Sequence, residues 1–242
     1  MNILRIALRR ETFVPVVALS LASAVCVTLV LARIAWTWKL RYGFLIWNLL
    51  LAWVPLALAL AVREHCDAGR ERKWRFPGLT GAWLLFFPNA PYIFTDLIHL
   101  DTRFFAHYWV DLVLILSCAL TGFVLGFVSL YLMQSLVVRA AGRVAGWLFV
   151  MFIAGLGSFG IYLGRFVRVN SWDVVLRPVK LFQGVSTWAA DPLANANTFA
   201  FPVLFAAFLF TTYVMLYALT LLPRTEPSPR ERKGETPSAL AA

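Results

Sequence analysis

Residues 86–101 read FFPNAPYIFTDLIHLD. Two prolines, an asparagine, two aspartates and a histidine stand there, inside a chain otherwise built of long apolar runs. From Gly78 to Phe87 is ten residues. At about 1.5 Å per residue that is about 15 Å of helix, so Pro88 arrives near the middle of a hydrocarbon layer about 30 Å thick. Proline removes a backbone donor and its ring clashes with the preceding turn. PNAP therefore predicts a helix broken at Pro88, with Asn89 suited to cap a second half running from about Ala90 to about Leu100. Backbone broken at that depth is tolerated only where protein or a wet cavity covers it. Such a new N-terminus leaves free N–H groups and partial positive charge, which suit an anion or a carbonyl.

On that second half Asn89, Tyr92, Asp96 and His99 recur three, four and three apart. That spacing places them on one face of an α-helix. In a membrane an ionisable stripe turns inward, and its default reading is functional. The plainer reading is a structural kink whose polar atoms bond to neighbouring helices.

Composition sets the class around this stretch. Hydrophobic residues make up 61% of the 242 and charged residues 14%, with a mean hydropathy of +0.75. Soluble domains carry about a quarter charged residues, so the chain reads as an all-α, polytopic transmembrane helix bundle. The net charge of +10 does not point to nucleic acid, because the basic residues flank apolar runs instead of forming one dense patch. Cys26, Cys66 and Cys118 are scattered without metal-like spacing, so no disulfide, metal or cofactor is assigned.

Six runs are long enough to cross a bilayer at about 20 residues each: 12–32, 42–62, 76–100, 112–138, 144–164 and 198–222. They are continuous instead of alternating, which selects helices over a barrel. The first run, Thr12–Ala32, has 21 uncharged residues, beyond the roughly 7–15 of a secretory signal core, so an uncleaved first helix is expected despite an A-x-A site at residues 22–24. Tryptophans 36, 38, 74, 109, 172 and 188 fall near span ends, as interfacial rings do. Lys and Arg number 14 in the N-terminal arm, second and fourth connections and tail, against 8 on the other side. Both termini are therefore expected in the cytoplasm of a bacterial inner membrane. Residues 1–222 form one helical domain in this reading. The Pro-, Ser- and charge-rich 223–242 reads as a disordered cytoplasmic tail. GRERKWR at 69–75 reads as a retention signal that could also touch anionic lipid. The loop 171–197, with its Leu, Val, Phe and Trp, is compatible with an interfacial helix. No internal repeat is visible between the two halves.

The fifth run ends in FGIYLGRFVRVNSWD, residues 159–173. Arg165 lies about 30 Å from Val144 by helix rise, at the height of Asp96 and His99. An unpaired aspartate there would be costly, so Arg165 or Arg168 is its expected partner, with Asn170 and Asp173 close behind. The plainer reading is that these arginines snorkel to the interface. Gly155, Gly157, Gly160 and Gly164 leave that helix thin enough for close approach. Asn48, polar within the second run, is expected to make an interhelical hydrogen bond beneath the same cluster.

WNLLLAWVPLALA, LLFFPNAPYIFTDLIHL and SFGIYLGRFVRVNSWDV together resemble the bacterial membrane-protein family catalogued as domain of unknown function 1361, over roughly residues 40–222. The resemblance implies a multi-helix bacterial membrane protein, and it supplies no substrate or catalytic residue. Its motif positions in this chain are Asn89, Pro91, Tyr92, Asp96, His99, Arg165, Arg168, Asn170 and Asp173.

Three functions fit these residues. The leading one is binding or transport of a small polar or anionic solute, or of a lipid head group, at Asn89, Tyr92, Asp96, His99, Arg165, Arg168, Asn170 and Asp173 on the outer side. A structural or accessory subunit comes next. An intramembrane enzyme with Asp96 orienting His99 beside the arginines comes last, because no nucleophile is marked. A metal version would add His107 and Asp101 or Asp111, but the chain offers too few soft ligands. The partners implied are the bilayer and, at the site, an anionic lipid or small polar ligand, with no nucleic acid, and oligomeric state is left open.

Overall fold

A computed structural model describes residues 10–67, 75–100, 105–167 and 196–221. The described chain is helical throughout. In order come α1 (Arg10–Thr37), α2 (Phe44–Asp67), α3 (Arg75–Phe86), α4 (Asn89–Tyr92), a 3-10 helix (Ile93–His99), α5 (Phe105–Tyr162), a π-helical turn (Leu163–Val167) and α6 (Ala196–Thr220). The N-terminal arm, GRERKWR, Asp101, the loop 171–197 as far as residue 195, Arg168, Asn170, Asp173 and the tail 223–242 lie outside the described residues.

Among the described residues, four stretches are long and apolar enough to cross a membrane: Phe13–Thr37, Phe44–Cys66, His107–Val167 and Ala200–Thr220. The third has 61 residues. At about 1.5 Å per residue it is far too long for one crossing. It divides at Gly142, whose φ of 88° and ψ of 172° are open only to glycine. The two limbs of α5 thus match the separate runs read from the sequence on either side of residues 139–143. The protein is an all-α, polytopic membrane bundle with four to five long apolar helices.

The interior is mostly apolar, but large apolar side chains also cover the outside, and several polar side chains are buried between helices. Leu21, Leu50, Val203, Leu204 and Met215 are exposed, while Ser129, Gln134 and Ser158 are buried. In lipid there is no hydrophobic gain from burying leucine against leucine, so helices associate through close packing and interhelical hydrogen bonds. Both devices are present. Trp53 Nε1 donates to Ser23 Oγ at 3.0 Å, Trp83 Nε1 to Ser129 Oγ at 2.7 Å, and Ser158 Oγ to the Pro202 carbonyl at 2.5 Å. Tyr213 donates to Gln134 between α6 and α5.

α5 is the central element, packing on α1, α2, α4, the 3-10 helix and α6. Its two limbs hold the PNAP stretch between glycines. A Cβ added at Gly122 would lie 2.7 Å from Ile93 Cδ1 and 2.8 Å from the Ala90 carbonyl oxygen. One at Gly160 would lie 2.7 Å from Pro88 Cγ, and one at Gly157 would lie 2.9 Å from Phe87 Cε1. The fifth run's glycines do permit close approach, as their spacing implied. Gly122 on the preceding limb does the same for the opposite side, while Gly155 faces open space.

Candidate functional site

The local backbone of the PNAP stretch explains where its polar groups go. Pro88 keeps helical angles (φ −59°, ψ −25°), so the chain bends without leaving helical space. The Asn89 side chain does not cap the second half. Its amide nitrogen instead donates backward to the Phe86 carbonyl at 3.1 Å. The Ala90 N–H bonds Phe87 O at 3.2 Å, and the Tyr92 N–H bonds Pro88 O at 3.0 Å. The free N–H groups expected for an anion are therefore spent at Ala90 and Tyr92, because a proline that stays helical keeps supplying acceptors one turn back. From Ile93 the coil tightens to three residues per turn, so side chains three apart eclipse. Ile93 and Asp96 are accordingly buried together.

Asp96 is the centre of the site, 1% exposed. Its Oδ2 accepts from Asn48 Nδ2 on α2 at 2.8 Å, and its Oδ1 accepts from Arg165 Nη1 at 3.2 Å. Arg165 also donates to the Tyr92 hydroxyl at 3.3 Å and, through Nη2, to the Thr95 carbonyl at 2.6 Å. Its guanidinium carbon lies 5.6 Å from the centre of the Tyr92 ring. The π-helical turn carries Arg165 there, one residue wider per turn than an α-helix. One side chain thus joins the end of α5 to three groups of the PNAP segment, and Asn48 adds α2.

Of the residues picked out from sequence, Tyr92, Asp96, Arg165 and Asn48 meet in one network, with Asn48 making the interhelical bond expected of it. His99 joins none of these hydrogen bonds: it is exposed, and its ring sits edge-on to Phe44 with centroids 5.1 Å apart, while Asp96 and Arg165 remain within electrostatic reach.

A second buried ion pair was missed by sequence reasoning. Arg33 Nε donates to Asp111 Oδ1 at 2.6 Å and Nη2 to Oδ2 at 3.1 Å, and the Tyr42 hydroxyl donates to Oδ2 at 2.9 Å. Both side chains of the pair are 9% exposed. Arg33 had been counted as a loop charge ending the first span, and Asp111 as a marginal metal ligand. The pairing lets α1 continue past Arg33 to Thr37, and it uses both carboxylate oxygens of Asp111. The available signal was that an arginine and an aspartate each border an apolar run at the same predicted face.

Chemically, both clusters are closed on themselves. Each carboxylate has donors on both oxygens, and each is bridged to a guanidinium from another helix.

The chain belongs to the family described as protein of unknown function (DUF1361), which matches residues 47–212. No curated protein and no solved structure matches it. The matched range contains Asn48, Tyr92, Asp96 and Arg165, so the whole Asp96 cluster lies within the family's own extent, whereas of the second cluster only Asp111 does, Arg33 and Tyr42 preceding it.

Proposed function

We propose that this member of the DUF1361 family is a structural or accessory protein of the bacterial inner membrane, in which the Asp96 cluster works as a clasp between helices. The observation that carries this reading is the engagement of both Asp96 oxygens, at 1% exposure, by Asn48 on one and Arg165 on the other. Both donors come from other helices of the same chain, so the carboxylate ties the bundle together and is shielded from the surface. His99, turned out to Phe44, gives little support to an acid–base pair with Asp96.

In this reading the chain crosses the membrane six times. α3, α4 and the 3-10 helix together form the third crossing, interrupted at PNAP, and residues 1–222 act as one domain. The 14-to-8 division of Lys and Arg supports cytoplasmic termini and places the clasp at the outer end.

A second reading keeps Asn89, Tyr92, Asp96, His99, Arg165, Arg168, Asn170 and Asp173 as a site for a small anionic solute or lipid head group. It is supported by the exposure of Arg165, 14% against 1% for Asp96, which leaves part of that side chain open to the surface beside exposed His99.

Thermal unfolding of purified Asp96→Asn, Arg165→Gln and the double variant in mixed micelles separates the two. The clasp predicts that Arg165→Gln is destabilised by about 3 kcal/mol, since a buried carboxylate loses its cation. It also predicts that the double variant recovers a large part of that loss. An unchanged midpoint for Arg165→Gln, with inorganic phosphate stabilising only the native chain, would reverse the order of the two readings.

A further inference from the structure

At the end of the bundle opposite the clasp, α1, α2, the first limb of α5 and α6 part around a cleft of about 700 Å³. Pockets for small ligands occupy roughly 300–1,000 Å³. The walls are apolar, from Leu56, Leu60, Val128 and Leu132, and the mouth carries Arg63 from α2 and Arg139 from α5.

The cleft has a direction. Arg139 and Phe127 are twelve positions apart on one helix. At about 1.5 Å per residue that gives a depth of about 18 Å, close to half of the about 30 Å hydrocarbon layer. Phe127 also lines a small apolar crevice of about 20 Å³ that reaches Phe87 and Pro91 at the PNAP bend. The gradient runs from two cations at the membrane surface, past the amphipathic rings of Tyr131 and Tyr217, to a dry end near the midplane. Guanidinium groups recognise phosphate oxygens, and an aliphatic slot one leaflet deep accepts an acyl chain.

We propose that this cleft holds one anionic phospholipid from the leaflet at the basic end, its phosphate at Arg63 and Arg139 and one acyl chain directed toward Phe127. This goes beyond the structural reading, because the site lies at the other end of the bundle and shares no residue with the clasp.

The test is native mass spectrometry of the full chain released from nanodiscs containing phosphatidylcholine with about 30% phosphatidylglycerol. The expected result is one retained phosphatidylglycerol per chain and at least tenfold less retained phosphatidylcholine. Arg63→Gln/Arg139→Gln should lower phosphatidylglycerol retention at least fivefold. Val128→Trp, which fills the slot without changing charge, should lower retention of both lipids. Gly155→Ala, at a position outside the cleft and with open space around it, should leave retention unchanged. Circular dichroism screens each variant for folding. If the double arginine variant does not fold, the single Arg139→Gln must still lower retention at least twofold. A photoreactive side chain at Val16 should cross-link to lipid. Cross-linking to polypeptide, equal retention of the two lipids, or undiminished retention in the arginine variants overturns the proposal.

Discussion

Replacing Arg33 by leucine tests how much the bundle relies on its closed polar clusters. The substitution removes two charge-assisted hydrogen bonds, at 2.6 and 3.1 Å, from Asp111. Such bonds are worth about 1.5–3 kcal/mol each when they are lost from a buried partner. The carboxylate keeps only the Tyr42 hydroxyl at 2.9 Å, at a side-chain exposure of 9%. Breaking a buried pair from one side costs about 3–5 kcal/mol, whereas a solvent-screened pair contributes about 0–1. We therefore expect Arg33→Leu to cost about 4 kcal/mol, the value for a buried pair. Arg33→Leu/Asp111→Leu replaces both charges with apolar groups and should cost about 2 kcal/mol or less. Reversible unfolding in mixed micelles, followed by tryptophan fluorescence across the four chains of this double-mutant cycle, measures both numbers. A cost below about 1 kcal/mol for Arg33→Leu, with no coupling to Asp111, would refute the claim that the pair is sealed from solvent.

Other substitutions probe separate features by the same unfolding assay. Gly122→Val should destabilise by about 1–3 kcal/mol, because its Cβ alone would meet the Ala90 carbonyl oxygen at 2.8 Å. Gly155→Ala, which faces open space, is the control and should be close to neutral. Gly142→Ala should cost about 1–3 kcal/mol although nothing stands within 4 Å of its added carbon, since the strain lies in a φ of 88°. Tyr213→Phe removes the donor to buried Gln134 and should cost about 0.6–1.7 kcal/mol, the range measured for hydrogen bonds between helices in bilayers.

The contrast between the two ion pairs shows which inferences travel along a chain and which do not. Asp96 and Arg165 were both visible as charges set deep beside apolar sequence, and the height argument brought them to one level. Their geometry followed a route the sequence did not mark. Asn89 turned back to Phe86 instead of capping, and the 3-10 winding buried Asp96 under Ile93 while His99 turned out to Phe44. An α-helical wheel places those four residues on one stripe; a coil with three residues per turn instead lines up Ile93, Asp96 and His99, the last at the exposed end of the helix. Arg33, Tyr42 and Asp111 gave no such warning, because charges at span ends are ordinary and pair only when neighbouring helices bring them together.

Hydrophobic run length and the cost of an unsatisfied backbone in lipid were enough, from the sequence by itself, to establish a polytopic helical bundle and to mark Pro88 as a special point within it. Those constraints are local, and each run meets the solvent with its own side chains. Only the tertiary structure decided that Gly122 and Gly160 pinch the PNAP segment, that Asp96 is closed off by Asn48 and Arg165, and that a basic-mouthed cleft opens at the far end. Those features depend on how helices distant in sequence approach one another. That approach is set by small residues and interhelical hydrogen bonds, whose partners no single run can specify.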